Sequence, residues 1–199
     1  MSNASGRSRR RLPIVIGVAL VALSATAVPC GLEDPTSISF LRGTLNLAYP
    51  ESLHVGTAMW QAQLAGTLPR DALSQRADLS PEARGKLRLF KANGLLRQLA
   101  TRLGDTPDAA AHPKLAIVLL GPVMWSRFEQ QDGAVRVTVH VAGPVEGDVV
   151  VVTDLAAIEA IVNGDLGFAE AFDLGVMRLY GPATDIVATR TWLSHLARG

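Results

Sequence analysis

Apolar residues in this chain recur with two different periods, and the change of period marks where helices give way to strands. Ser80-Pro81-Glu82 offers a capping hydroxyl, a proline at the first helical position and an acid in the first turn. Leu87, Phe90, Leu95, Leu99 and Leu103 then follow at helical spacing. Together they predict a helix over 81–103, with Asn93-Gly94 as a place to kink or split it. "GDTPDAAAHP", residues 104–113, reads as a linker. Beyond it "KLAIVLL" fits either a helical turn or a buried strand. "VMWSRFEQQDGAVRVTVHVAG" predicts a hairpin turning at Asp132-Gly133, with Val135, Val137, Val139 and Val141 on one side and Arg136, Thr138 and His140 on the other. "DVVVVTD" is a continuous β-branched run, the pattern of an inner strand covered on both faces.

The pattern returns to helix at Asp154, a capping residue, with Leu155, Ile158 and Val162 along one face and Asn163-Gly164 as the stop. "DLGFAEAFD" predicts a second short helix presenting Phe168 and Phe172 four residues apart. Leu174-Gly175 turns the chain into a strand, "VMRLY", which Gly181-Pro182 closes. A last helix carries Ile186, Trp192, Leu193 and Leu196. Upstream, residues 31–50 are mixed in character between Pro35 and Pro50. "ESLHVGTAMWQAQLAGTL" reads as a helix whose Leu53, Ala58, Trp60 and Leu64 follow the helical period only loosely, and residues 69–83 read as a turn-rich connection.

The run "DVVVVTDLAAIEAIVNGDLGFAEAFDLGVMRLYG" resembles the C-terminal core of the sterol carrier protein 2 (SCP2) family of lipid-binding domains. The resemblance lies in Asp154, Gly164-Asp165-Leu166, Ala171-Phe172, Gly175, Met177, Leu179 and Gly181. It extends back through the hairpin to about residue 115 and forward through the last helix. It implies an α+β fold, a curved and mostly antiparallel sheet with helices over one face and an apolar tunnel between them. The SCP2-like domain would span 81–199, preceded by a partly helical extension at 31–80. The expected pocket residues are Met124, Trp125, Phe128, Ile158, Val162, Phe168, Phe172, Met177 and Leu179, where flexible methionine beside rigid aromatics suits an apolar ligand of loose shape. Gly164, Gly175 and Gly181 would let the helix–helix–strand unit turn tightly.

Charge and composition add the setting. Arg7, Arg9, Arg10 and Arg11 precede the uncharged run Leu12–Pro29, and Ala25-Thr26-Ala27 offers a cleavage site. Residues 1–30 therefore read as a signal peptide or a retained membrane anchor. Either puts the body outside the cytoplasm, periplasmic or anchored to the inner membrane facing the periplasm. Of the 19 Lys and Arg, those four leave 15 against 18 Asp and Glu, so the body has no basic field for nucleic acid. The helix at 81–103 is the exception: six cations oppose Glu82 alone. Lys86, Arg88 and Lys91 are its candidates for resting on anionic lipid, against the alternative of an ordinary solvated face. Cys30 is the lone cysteine; it reads as a small residue near the start of the mature chain, with intermolecular pairing or lipidation as the alternatives.

No catalytic signature accompanies these features. His54, His112, His140 and His195 are scattered without metal-ligand spacing, and no G-x-S-x-G, P-loop or dinucleotide fingerprint occurs. The expectation is a protein without enzymatic activity, metal or cofactor. It would bind or transfer an apolar sterol-, hopanoid- or acyl-lipid-like ligand at a membrane surface in the bacterial envelope. The competing expectation is a structural or assembly subunit of a membrane-associated complex, with an SCP2-like fold that has lost its tunnel and a protein partner gripped through residues 31–80.

Overall fold

The structure, a computed structural model, describes residues 35–106 and 112–196. The basic and apolar leader and Cys30 lie outside the described residues, as does the middle of the linker. Among the described residues no helix is long and apolar enough to cross a membrane. The element order is α1 (Pro35–Ala48), α2 (Ser52–Leu64), a short 3-10 turn (Ala72–Gln75), α3 (Pro81–Gly104), β1 (Leu115–Leu119), β2 (Met124–Gln131), β3 (Ala134–Val141), β4 (Val149–Thr153), α4 (Leu155–Asn163), α5 (Phe168–Asp173), β5 (Arg178–Tyr180) and α6 (Ala183–Ser194). This is an α+β fold around one mixed sheet.

Local chemistry accounts for most of the boundaries. The Ser80 hydroxyl accepts from the Ala83 N–H and starts α3, and the Asp154 carboxylate accepts from the Leu155 N–H and starts α4. Gly164 ends α4 with φ 83°, a left-handed stop. Asp132 and Gly133 both take positive φ, 54° and 79°, the pair of values a tight two-residue hairpin needs. The mixed stretch at 31–50 is instead largely helix α1, with Pro35 at its first position. Nor does Asn93-Gly94 split α3, which runs unbroken for 24 residues. The Asn93 side chain accepts from Arg97 Nε one turn on, at 2.7 Å, so the asparagine is occupied along the helix rather than competing with it.

The sheet order is β3-β2-β1-β4-β5, with β1 and β4 parallel and every other neighbouring pair antiparallel. All five residues of β1 and of β4 are buried, as expected of the inner pair. Register separates the two faces. One carries Leu115, Ile117 and Leu119 with Phe128, Ser126 and Met124; the other carries Ala116 and Val118 with Arg127 and Trp125. One residue in β3 departs from the expected alternation. His140 adopts φ 64° where Trp125 pairs with Val141 but Ser126 pairs with Val139. The extra residue is a bulge, and it moves Val141 to the face opposite Val135, Val137 and Val139.

The helices occupy both faces of the sheet, not one. Gly104 of α3 comes within 3.3 Å (from a Cβ built on it) of the Val135 backbone, α4 packs on α3, and the Thr153 hydroxyl donates to the Val176 carbonyl at 2.9 Å. On the other face Tyr49, at the α1–α2 joint, packs its ring 5.8 Å from Trp125 and 5.2 Å from Tyr180. The same face holds Arg127 bidentate on the buried Asp148, at 2.8 and 3.2 Å. The extension is thereby built into the body. Gly94 is exposed on its helix, and a Cβ placed there meets nothing within 4 Å. Gly94→Ala should therefore stabilise the fold by about 0.5–1 kcal/mol, a rise of a few degrees in Tm by calorimetry; an unchanged or lower Tm would contradict a continuous α3.

Candidate functional site

The parallel pair determines where space opens. β1 and β4 end side by side, and the chain leaves them in different directions. From β1 it turns through Leu120, Gly121 and Pro122 into β2; from β4 it enters α4 at Asp154. In open sheets with parallel strands, this carboxyl end is where ligands collect. Two side chains close it. Arg42 of α1 donates through Nε to the Leu120 carbonyl at 2.9 Å and through its NH2 group to the Gly121 carbonyl at 2.8 Å. Asp154 lies against the same turn: its carboxylate also accepts from the Gly121 N–H, and a Cβ on Gly121 would sit 3.0 Å from Asp154 Oδ1. Glycine leaves room for this close approach.

Beside this clasp lies a cleft of about 380 Å³, between α2, α3, the Pro69–Asp71 segment and the start of α4. Met59 and Trp60 of α2 meet Pro122, Leu155 and Ala156 across it. Trp60 is 60% exposed, so an indole face is open to a ligand. Charged groups ring the apolar lining, and they arrive already paired. Arg88 holds Asp71 at 2.7 Å and also donates to the Ser74 hydroxyl, and Lys91 holds Glu159 at 2.6 Å. Leu87 and Phe90, on the same turn of α3 as Arg88 and Lys91, are exposed, Phe90 to 81%.

Two acids of the cleft differ in character. Burial pushes the Asp154 carboxyl above its ordinary 3.8, against the pull of the Leu155 and Gly121 N–H groups and of Arg42. For Asp71 burial also acts upward, but hydrogen bonds from Ser74, Arg88 and the Leu73 N–H outweigh it and leave the carboxyl below its ordinary value. The cleft thus holds one acid that resists ionisation and one that welcomes it.

The nine expected pocket residues do not gather round this cleft. Met124, Phe128, Ile158, Phe168 and Met177 are each buried within the continuous apolar core. Trp125 and Val162 are half-buried against it, Trp125 beneath Tyr49. Phe172, Met177 and Leu179 do line a second, smaller cleft of about 290 Å³, with Ile186 and Tyr180. There Arg178 is ion-paired to Glu51, and Arg190 stacks 5.1 Å above the Phe172 ring. Gly164, Gly175 and Gly181 all take positive φ, 83°, 71° and 151°, so each of the three turns uses a conformation L side chains avoid. Of the basic trio, Lys86 is bound to Glu82, Arg88 to Asp71 and Lys91 to Glu159, which leaves much less positive charge on α3 than its sequence suggests.

Arg42, Trp60, Asp71, Gly121 and Glu159 belong to the cleft and carry no motif. One signal for them was present: α2 has two apolar stripes. Ser52, Val55, Met59 and Ala62 are buried, whereas Leu53, Trp60 and Leu64 fall within about 40° of one another on the outer side at 3.6 residues per turn. Among the described residues no three His, Cys, Asp or Glu side chains converge as a metal site.

No protein-family model matches the chain, and no curated protein matches it. Among solved structures it is similar to the solution structure of a conserved hypothetical protein from Thermus thermophilus, described as "possibly sterol carrier protein". Identity is 18%, the TM-score is 0.30, and the match covers 55% of this chain and 88% of that one. The α+β class rests on this chain's own mixed sheet and helices.

The Asp154 environment makes stability depend on pH. The folded chain keeps this proton to a higher pH than the unfolded chain, so it binds more protons between 3.8 and the raised value. Stability contributed by the protonated form is present at lower pH and lost as pH rises through that window. Asp154→Asn retains a capping side chain and removes the titration. Its Tm relative to the wild type should climb as pH rises above the ordinary carboxyl value; a flat difference would show that the carboxylate is not desolvated.

Proposed function

We propose that this protein is a non-catalytic binding or transfer module for an apolar molecule of the sterol, hopanoid or acyl-lipid type. It would act in the bacterial envelope, exported and either periplasmic or held at the inner membrane facing the periplasm. The observation that carries this reading is the cleft floored by Met59, Trp60, Pro122, Leu155 and Ala156. Its volume, about 380 Å³, is at the lower end of the range of small-molecule sites. Each buried CH₂ contributes about 0.8 kcal/mol, so ten such groups give about 8 kcal/mol before the costs of association.

The outer stripe of α2 supports a lipid surface as the neighbour. Leu53, Trp60 and Leu64 are exposed, and tryptophan suits the boundary between headgroups and acyl chains. Five residues separate the end of the uncharged run Leu12–Pro29 from α1, which keeps the α1–α2 pair close to any bilayer that run enters. This moves the membrane-facing surface from the paired cations of α3 to α2. In full-length protein reconstituted into vesicles containing brominated lipid, Trp60 emission should be quenched, read as the difference between wild type and Trp60→Phe. Equal quenching in both would take α2 off the membrane.

A second reading, an assembly subunit without a ligand, is favoured by one observation: Met124, Phe128, Ile158 and Phe168 sit in continuous core while α2 exposes an apolar stripe. Native mass spectrometry of protein purified from its own host, with organic extraction, separates the two. The carrier reading expects a co-purifying lipid near one equivalent, and a lipid affinity weaker by on the order of thirtyfold in Trp60→Ala as about 2 kcal/mol of contact is lost. Fully folded, ligand-free protein in repeated preparations would leave the assembly reading standing.

A further inference from the structure

Three irregularities converge on the smaller cleft, which lies beside β5, the edge strand of the sheet. Glu51 adopts φ 70°, a left-handed backbone that is uncommon for a residue with a side chain and that persists only where the surroundings hold it. Its carboxylate reaches across to Arg178, and that contact engages one guanidinium nitrogen, NH1. Arg178 Nε is buried and meets no acceptor among the described residues, although buried N–H groups are normally paired. Arg190, the second cation of the lining, is held loosely. It lies 5.1 Å over the Phe172 ring and reaches the exposed Asp173 only at 3.4 Å. Two guanidinium groups therefore share the cleft with one carboxylate, against an apolar wall of Phe172, Met177, Leu179 and Ile186.

We propose that this cleft is a second ligand site, separate from the larger one, for an amphiphile with a carboxylate head, and that Glu51 is a built-in stand-in for that head. A carboxylate already docks on Arg178 here, so the guanidinium is presented to such a group. Glu51 is tethered through a strained backbone and meets one nitrogen. A free carboxylate has no tether, and a guanidinium turned to meet it offers two parallel N–H bonds with Nε among them. Releasing Glu51 costs little, because the Arg178 and Glu51 side chains are 39% and 55% exposed and such surface pairs contribute weakly. Arg190 adds a second positive charge to the same cleft. The apolar wall takes the adjoining carbons, and about 290 Å³ gives room for the head and a short chain only. A neutral head leaves Glu51 in place and Nε without a partner; a bare anion leaves the wall uncovered.

The test uses full-length protein with isotope-labelled methionine methyl groups, in one nonionic detergent at neutral pH, titrated with octanoate, octanol and acetate and followed by NMR. Met177 lines this cleft, Met59 lines the larger one and Met124 lies in the core, so the signals separate the sites. Octanoate should move the Met177 signal saturably and bind at least about tenfold more tightly than octanol or acetate. Glu51→Gln removes the internal competitor and should tighten octanoate by about threefold with octanol unchanged. Arg178→Met should bring octanoate down to the level of octanol. A purely structural role for Glu51 at the α1–α2 joint would move both ligands together; that result, or unaltered octanoate binding in Glu51→Gln, overturns the stand-in. Octanol or acetate matching octanoate in the wild type, or no response at Met177, overturns the carboxylate site. Octanoate shifts confined to Met59 overturn it as well, while leaving the larger cleft a binding site.

Discussion

The structure depends on how the Leu120–Gly121 turn is held. Its two carbonyls are taken by the Arg42 guanidinium and its glycine N–H by the Asp154 carboxylate. Two helices far apart in sequence are thereby fixed to one pair of peptide units at the end of β1. These side chains replace backbone pairing where the ladder stops, since buried carbonyls and N–H groups must find partners. The carboxylate gives up hydration to be there, visible in its reluctance to ionise, and the Arg42 charge nearby offsets part of that cost. A side chain on Gly121 would press on the carboxylate, which would have to give by a few tenths of an ångström. Every residue of the cleft is placed relative to this clasp.

Because α1 is tied there, α2 must return across the sheet face that carries Val118, Val150 and Val152, and it meets that face with Val55, Met59 and Ala62. The same tether leaves Leu53, Trp60 and Leu64 outside. A helix apolar on two sides is stable only when both are covered or one has a partner. The inner side contributes to folding and the outer side is available for contact. Trp60 stands at the boundary, lining the cleft while remaining largely exposed, so it serves both surfaces.

The C-terminal half was legible because its signals are local. The cap at Asp154, the stop at Gly164, the turn at Asp132-Gly133 and the β-branched run of β4 each act over a few residues, and each element formed where its chemistry required. What sequence reasoning missed was relational. α1 held Ile38, Leu41 and Leu45 at helical spacing, but two prolines and a mixed composition obscured them. The bulge at His140 has no sequence mark, so the valine alternation misplaced Val141. The cleft assembles Arg42, Trp60, Asp71, Gly121 and Glu159 from five separate segments, and no spacing rule joins them. The basic character of α3 was correct as a count, but misleading as a field. Its partners Asp71 and Glu159 lie on other segments and become neighbours only on folding.

The tunnel expected from the resemblance supposes that a sheet face and its helices stand apart. Here both faces are occupied: α3 to α6 fill one with the core around Ile158, Phe168 and Met177, while the α1–α2 pair covers the other. Space then arises where elements diverge, at the carboxyl ends of β1 and β4, and along the smaller seam between β5 and α6. The N-terminal helices thus change the site as well as covering the sheet. They supply Met59 and Trp60 to one wall and Arg42 to the base, and they leave an apolar stripe on the outer side. Chain outside the SCP2-like resemblance provides about half of the cleft lining, which a reading of the C-terminal half alone could not include.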